Sequence, residues 1–178
     1  MLPLPECRPL ADAGWLSDAP WFIEHSSQEW TTRLNLSRRE LVLAAVAAVD
    51  WLLPLWESAR PSDSAPVRAV DAARSHPIAP TENLRKHARA VAKACTASRE
   101  RSMGYEHRIA EAARSVALAS AATSDAGTAD SVAETFAKVE EHALYAFAVI
   151  GTYDGKERSV REEMLNRIKP VAAAAAGG

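Results

Sequence analysis

Leu53-Pro54-Leu55-Trp56, followed by Pro61-Ser62-Asp63-Ser64-Ala65-Pro66-Val67-Arg68 and then Ala69-Val70-Asp71-Ala72-Ala73-Arg74, is the stretch on which the reading of this chain turns. A proline stands near the end of a strongly apolar helical run, a polar turn follows, and a second helix opens on another proline. Upstream, Leu41, Ala44, Ala45, Ala48, Val49, Leu52 and Trp56 recur at the three- and four-residue steps that line one face of an α-helix. Ser37-Arg38-Arg39-Glu40 fits a capping box at its start, the serine taking an orphan amide and the glutamate reaching back to the serine N–H. Pro54 has no N–H to give the carbonyl of Asp50, so the helix bends or ends there. Pro66 suits a first turn. The helix it opens buries Val67, Val70 and Ala73 and stops at Ser75-His76-Pro77.

The same spacing continues downstream. A third helix starts near Thr81 with Leu84, Ala88, Val91 and Cys95 as its apolar stripe, and Gly104 marks its end or a weak point. A fourth runs from Tyr105 to Ala122 with Ile109, Ala112, Ala113, Val116, Ala119 and Ser120 inward. Ser124 to Thr128 reads as a loop. Ser131-Val132-Ala133-Glu134 repeats the capping-box pattern and leads a fifth helix, with Val132, Phe136, Val139, Ala143, Phe147 and Ile150 buried and Gly151 at its end. A last helix, Lys156 to Ile168, carries Val160, Met164 and Ile168. No segment alternates with the period of a strand. The expected fold is all-α, an irregular alanine-rich bundle of about six helices. Alanine on facing helices lets their axes come close, and Leu52, Trp56, Phe136 and Phe147 fill the wider gaps.

Residues 1–36 have no sustained period and are punctuated by Pro3, Pro5, Pro9, Gly14 and Pro20. They read as an irregular arm anchored on the body by Trp15, Trp21 and Trp30, since each such ring buries roughly 150–250 Å² when packed. Exposed members of that arm are the other reading, a partner-binding patch. The helical domain is residues 37–170, and residues 171–178 form a frayed alanine–glycine tail.

At 178 residues the chain is long enough for one domain with a sizeable core. A net charge of −2 does not favour non-specific nucleic-acid binding. Cys7 and Cys95 are far apart and in no metal or redox spacing, which points to free thiols in a reducing compartment. The longest apolar run, Leu41 to Leu55, is interrupted by Asp50 and Pro54 and falls short of a bilayer span. The first residues lack the basic and apolar regions of a secretory signal. The expected location is cytoplasmic, with no membrane partner.

Motifs that carry chemistry have definite physical requirements. A di-iron bundle needs Glu-x-x-His pairs, and Leu84, Gly104 and Val139 stand where those glutamates would precede His87, His107 and His142. Neither His-Glu-x-x-His, Cys-x-x-Cys, Gly-x-Ser-x-Gly nor a phosphate-cradling glycine loop occurs. Tyr105-Glu106-His107 and Glu140-Glu141-His142 set carboxylates beside imidazoles, but adjacent helical residues point about 100° apart. These read as solvated polar faces, or, for His142, as a hydrogen-bonded histidine near the core. The sequence therefore predicts neither a catalytic residue, a metal nor a cofactor.

One charge feature stands out. Arg85, Lys86, Arg89 and Lys93 recur at helical spacing, with Arg99 and Arg101 following. Arg85, Arg89 and Lys93 step by four and share a face, and no acid is interleaved between Arg85 and Lys93. The plain reading is a solvated helix face. The functional one is a docking patch for an acidic protein. Nucleic acid is ranked lower, because the stretch has no aromatic ring for base stacking.

The opening stretch resembles the Imm5-like family of bacterial immunity proteins, small helical antidotes to toxins exchanged between competing cells. In that family a Leu-Pro-Leu-aromatic segment ends a helix, a turn with Pro, acid and Arg follows, then an Ala-Ala-Arg helix and alanine-rich helices. Here these are Leu53 to Trp56, Pro61 to Arg68, Ala69 to Arg74, and the helices from Leu84 to Ile150. The resemblance implies a protein that binds a cognate toxin and blocks it sterically, without enzymatic activity. Arg85, Arg89 and Lys93 are the first candidates for contact, and Trp15 and Trp21 the second. Pro54, Trp56, Asp63 and Arg68 read as structural, with Trp56 packed under the turn and Asp63 and Arg68 fixing it. A regulatory or nucleic-acid-binding helical domain and a bundle with a small-ligand pocket are the alternatives. Self-association stays open, because an amphipathic stripe can face its own bundle or another copy.

Overall fold

A computed structural model of the chain describes residues 38–75, 81–122, 134–135, 137–143, 162–164 and 166–167. Five complete helices lie there: α1 (Arg38–Asp50), α2 (Leu53–Ala59), α3 (Ala65–Ser75), α4 (Glu82–Glu100) and α5 (Gly104–Ala121). Residues 134–135, 137–143, 162–164 and 166–167 are helical too, and no strand occurs among the described residues. The protein is an all-α helical bundle. Ser37, Cys7, the tryptophan-bearing arm (residues 1–36), Phe136, Phe147 and the tail (residues 171–178) lie outside the described residues.

Of the two outcomes expected at Pro54, a bend or an end, the second holds: the run through Trp56 is two helices. A turn at Trp51 and Leu52 separates them, and the axis bends by 44°. Pro54 stands in the first turn of α2, where its missing N–H costs nothing. The carbonyl of Asp50 loses its ordinary donor. The backbone tightens instead: the Leu52 N–H donates to Val49 O at 2.9 Å, closing α1, and the Leu55 N–H donates to Leu52 O at 3.1 Å, opening α2. Among the described residues no single helix is long and apolar enough to cross a membrane. The bent pair reaches that length and apolarity only when joined, and Leu41, Val42, Val46, Val49, Leu52, Leu53 and Trp56 are spent in the core.

The centre of the bundle is α5, which packs against α1, α2, α3 and α4. Helices α3 and α4 also pack on each other, and α1 lies on α3 and α5. The inward stripe read from the sequence for α5 is buried as expected, and Ala110, Ala117 and Ala121 are buried as well. A period-3.6 stripe assumes one narrow dry face, whereas a helix touched by four others is dry over a wider arc. Alanine makes this feasible, since its methyl group lets neighbouring axes approach. Trp56 and Leu52, both fully buried, supply bulk where the spacing widens.

Polar ties stitch the helices together. The Arg39 guanidinium on α1 donates to Ala73 O at 3.2 Å and Arg74 O at 2.8 Å, satisfying carbonyls in the last turn of α3. Glu111 on α5 accepts from Arg99 on α4 at 2.9 Å and from Arg114 at 3.1 Å, and Arg114 Nε also donates to Thr96 Oγ1. Arg108 on α5 pairs with Glu141 of the helical residues 137–143. Arg167 lies 5.7 Å from the centre of the Trp51 ring, a cation–π distance. Gly104 begins α5 at φ 58°, a left-handed conformation that lets the chain turn sharply out of α4.

Candidate functional site

The turn between α2 and α3 lies at the centre of the Leu53 to Arg74 stretch. Trp56 is held under it, and its Nε1–H donates to Asp63 O at 2.6 Å. Asp63 turns its carboxylate both ways. Oδ1 accepts the Ala65 N–H at 3.1 Å, starting α3. Oδ2 accepts Ser98 Oγ at 2.7 Å and Arg101 Nη2 at 3.1 Å, both from the end of α4. Burial pushes the Asp63 carboxyl up, but the bonds from Ser98, Ala65 and Arg101 outweigh it and hold it below its ordinary value. Beside it, Arg60 pairs with Glu106 at 2.6 Å and donates to Arg101 O at 3.1 Å. Pro54 is exposed. Arg68 is exposed, and its guanidinium bonds to none of these groups; only its backbone N–H does local work, donating to Ser64 O. The arrangement clamps the α2–α3 turn onto the α4–α5 turn, with every Asp63 oxygen engaged.

The candidate docking residues lie along α4. Thr81 caps it, accepting the Leu84 N–H at 3.4 Å, and one face is dry through Ala88, Val91, Ala92, Cys95 and Ser98. The opposite face presents Asn83, Lys86, His87, Arg89, Ala90 and Lys93 to solvent. Arg85, Arg89 and Lys93 are not equally free there. Arg85 is half-buried and lies 3.7 Å from Glu82, and Arg89 lies 3.3 Å from the same carboxylate. Lys86 and Lys93 are exposed and form no ion pair among the described residues. Arg99 and Arg101, next in the basic run, turn inward to Glu111 and Asp63. The uncommitted charge therefore belongs to two lysines seven residues apart. Glu82 was legible beforehand, because it stands three residues before Arg85, a spacing at which helical side chains meet.

Three further groups carry chemistry. Cys95 is a buried free thiol, pushed up to about 12 by burial and by the nearby Asp63 carboxylate. His142 departs from both readings of it: the ring is buried, not solvated, and neither nitrogen has a hydrogen-bond partner among the described residues. Burial, with the charges of Arg108 and Lys138 and the proximity of His107, pushes it down to about 3. Glu140 is buried too, whereas Glu141 and His107 are exposed as expected. Among the described residues no group of three His, Cys, Asp or Glu side chains is placed to hold a metal. Trp15 and Trp21 lie outside the described residues.

Comparison of the chain with protein-family models, with curated proteins and with solved structures finds no match in any of the three.

Proposed function

We propose that this chain is an immunity-type protein that binds a cognate bacterial toxin in the cytoplasm and neutralises it by covering its working surface. The observation that carries the reading is the wet face of α4, where Lys86 and Lys93 stand exposed, with no ion pair among the described residues, on a protein whose net charge is −2. Elsewhere the described cations largely face acids of this chain: Arg60 with Glu106, Arg74 with Asp50 and Asp71, Arg99 with Glu111, Arg101 with Asp63, Arg108 with Glu141. A local positive strip on an acidic molecule favours a particular acidic partner over polyanions at large. The resemblance of the Leu53 to Arg74 stretch supports the same reading. Its residues clamp the fold, which leaves recognition to other surfaces.

The test is co-expression with the product of the adjacent reading frame. Rescue of growth together with a stoichiometric complex is the expected result. A neighbour that is harmless alone and forms no complex with this chain would count against neutralisation.

A further inference from the structure

We infer that the partner is received on the Lys86–Lys93 strip of α4 by a protein surface carrying carboxylates about 10 Å apart, and that Glu82 is an internal competitor for that surface. The inference rests on the neutralisation reading and names the place and the chemistry of the contact.

Two lysines seven residues apart complete nearly two helical turns and so project from the same side, separated by about 10 Å along the axis. Arg89 stands between them, half-exposed, with its guanidinium 3.3 Å from Glu82. The same carboxylate lies 3.7 Å from Arg85. Glu82 itself is more than half exposed, so both pairs sit in water, where such pairs are weak and exchangeable. An incoming carboxylate can take Arg89 from Glu82 at little cost. The bound face would then present three cations in a row, where the free face presents two.

The chemistry of the strip selects a protein over the other anionic partners. Its one aromatic ring is the small imidazole of His87, and no Trp, Tyr or Phe stands on α4 for a run of bases to stack on. Nor does it hold an apolar side chain to enter a lipid surface: the large exposed hydrophobes among the described residues are Met103 and Leu118, both outside α4. Glu82 and Glu100 flank the strip at its two ends and would repel a continuous phosphate backbone running past them.

The experiment measures binding of a fluorescent poly-L-glutamate peptide to the full-length chain by anisotropy, at low salt and at about 0.15 M salt. Single-stranded DNA and phosphatidylglycerol vesicles are run beside it. Lys86→Glu and Lys93→Glu are compared with Arg68→Glu, which changes net charge equally from an exposed position on α3. Thermal melts confirm that each variant folds. Lys86→Glu and Lys93→Glu are expected to weaken peptide binding about tenfold and Arg68→Glu less than about twofold, while Glu82→Gln tightens it about threefold. Equal losses from all three reversals, no gain from Glu82→Gln, or tighter binding of DNA or vesicles than of the peptide would overturn the inference. The same variants enter the growth-rescue assay. Rescue that survives Lys86→Glu/Lys93→Glu removes the strip and leaves neutralisation standing. Peptide binding with the expected pattern, but no complex with the neighbouring product, keeps the strip and removes the toxin.

Discussion

Ser98 Oγ donates to Asp63 Oδ2 at 2.7 Å across a sequence separation of 35 residues, and this bond joins the turn before α3 to the last turns of α4. It is charge-assisted and shielded, since Ser98 is buried and Asp63 largely so. Such bonds contribute more than neutral ones on the surface. Asp63→Ala should therefore cost about 2–3 kcal/mol in urea denaturation, because Ala65, Ser98 and Arg101 lose their acceptor together. In a double-mutant cycle with Ser98→Ala the coupling should be about 1–2 kcal/mol. Additive effects would mean that the clamp is incidental to stability. The pH dependence has a definite sign. Since the folded carboxyl lies below its ordinary value, its contribution is present above the unfolded value of about 3.9 and is lost as pH falls through the folded one.

Arg39 tests a different kind of tie. Its guanidinium spans two consecutive carbonyls of α3 as a fork, a geometry that a lysine cannot reproduce. Arg39→Lys is expected to lose nearly as much stability as Arg39→Ala, about 1 kcal/mol in each case. Full rescue by lysine, read from denaturation midpoints, would show that charge near the end of α3 matters and the fork does not.

Local backbone chemistry made the fold legible. Pro54, Pro66 and Thr81 act within a few residues of themselves, so the break after α1 and the starts of α3 and α4 follow from the prolines' rings and missing N–H and from the threonine hydroxyl. The dry stripe of α1 followed from spacing alone, and so did Ala88, Val91 and Cys95 on α4, whereas Leu84 at its start is half-buried. What could not be read was whatever depends on which helix lies beside which. Asp63 lies in a turn and Ser98 in a helix 35 residues away, and no periodicity joins them. Ala110, Ala117 and Ala121 are buried only because α5 is surrounded. The docking face fell between these cases. Its charge was visible in Arg85, Arg89 and Lys93, but ranking the free charge needed the position of one glutamate side chain.

His142 gives a prediction in which a polar group is better absent. Its folded value of about 3 lies below its ordinary 6.5, so the unfolded chain binds a proton that the folded chain refuses. Between those two values stability must fall as the solution is acidified, by up to about 1.4 kcal/mol per pH unit from this residue. Above pH about 6.5 both states hold the ring neutral and no penalty arises. Because neither nitrogen bonds to anything among the described residues, an apolar replacement orphans no partner there. His142→Leu should therefore match the parent at pH 8 to within about 1 kcal/mol and show a shallower loss of stability between pH 6 and 4. Parallel profiles for the two proteins would place the acid sensitivity elsewhere.

Cys95 reports on the packing of the α4 face that meets α3 and α5. The thiolate is the reactive form, and with the thiol pushed up to about 12 it is scarce at pH 8. Burial removes access as well. Alkylation by iodoacetamide at pH 8, localised by peptide mass spectrometry, should leave Cys95 unlabelled in the native protein and label it fully in guanidinium chloride. The two causes separate on raising the pH. If ionisation alone protects Cys95, labelling climbs about tenfold per unit from pH 8 to 10. If burial also governs, the rate follows opening of the α4 packing and shifts with stability. Asp63→Ala, which frees the end of α4, should then accelerate labelling of Cys95 about tenfold for each ~1.4 kcal/mol lost from its unfolding free energy. Equal rates in parent and variant would show that Cys95 is reached by a local opening that leaves the Asp63–Ser98 clamp closed.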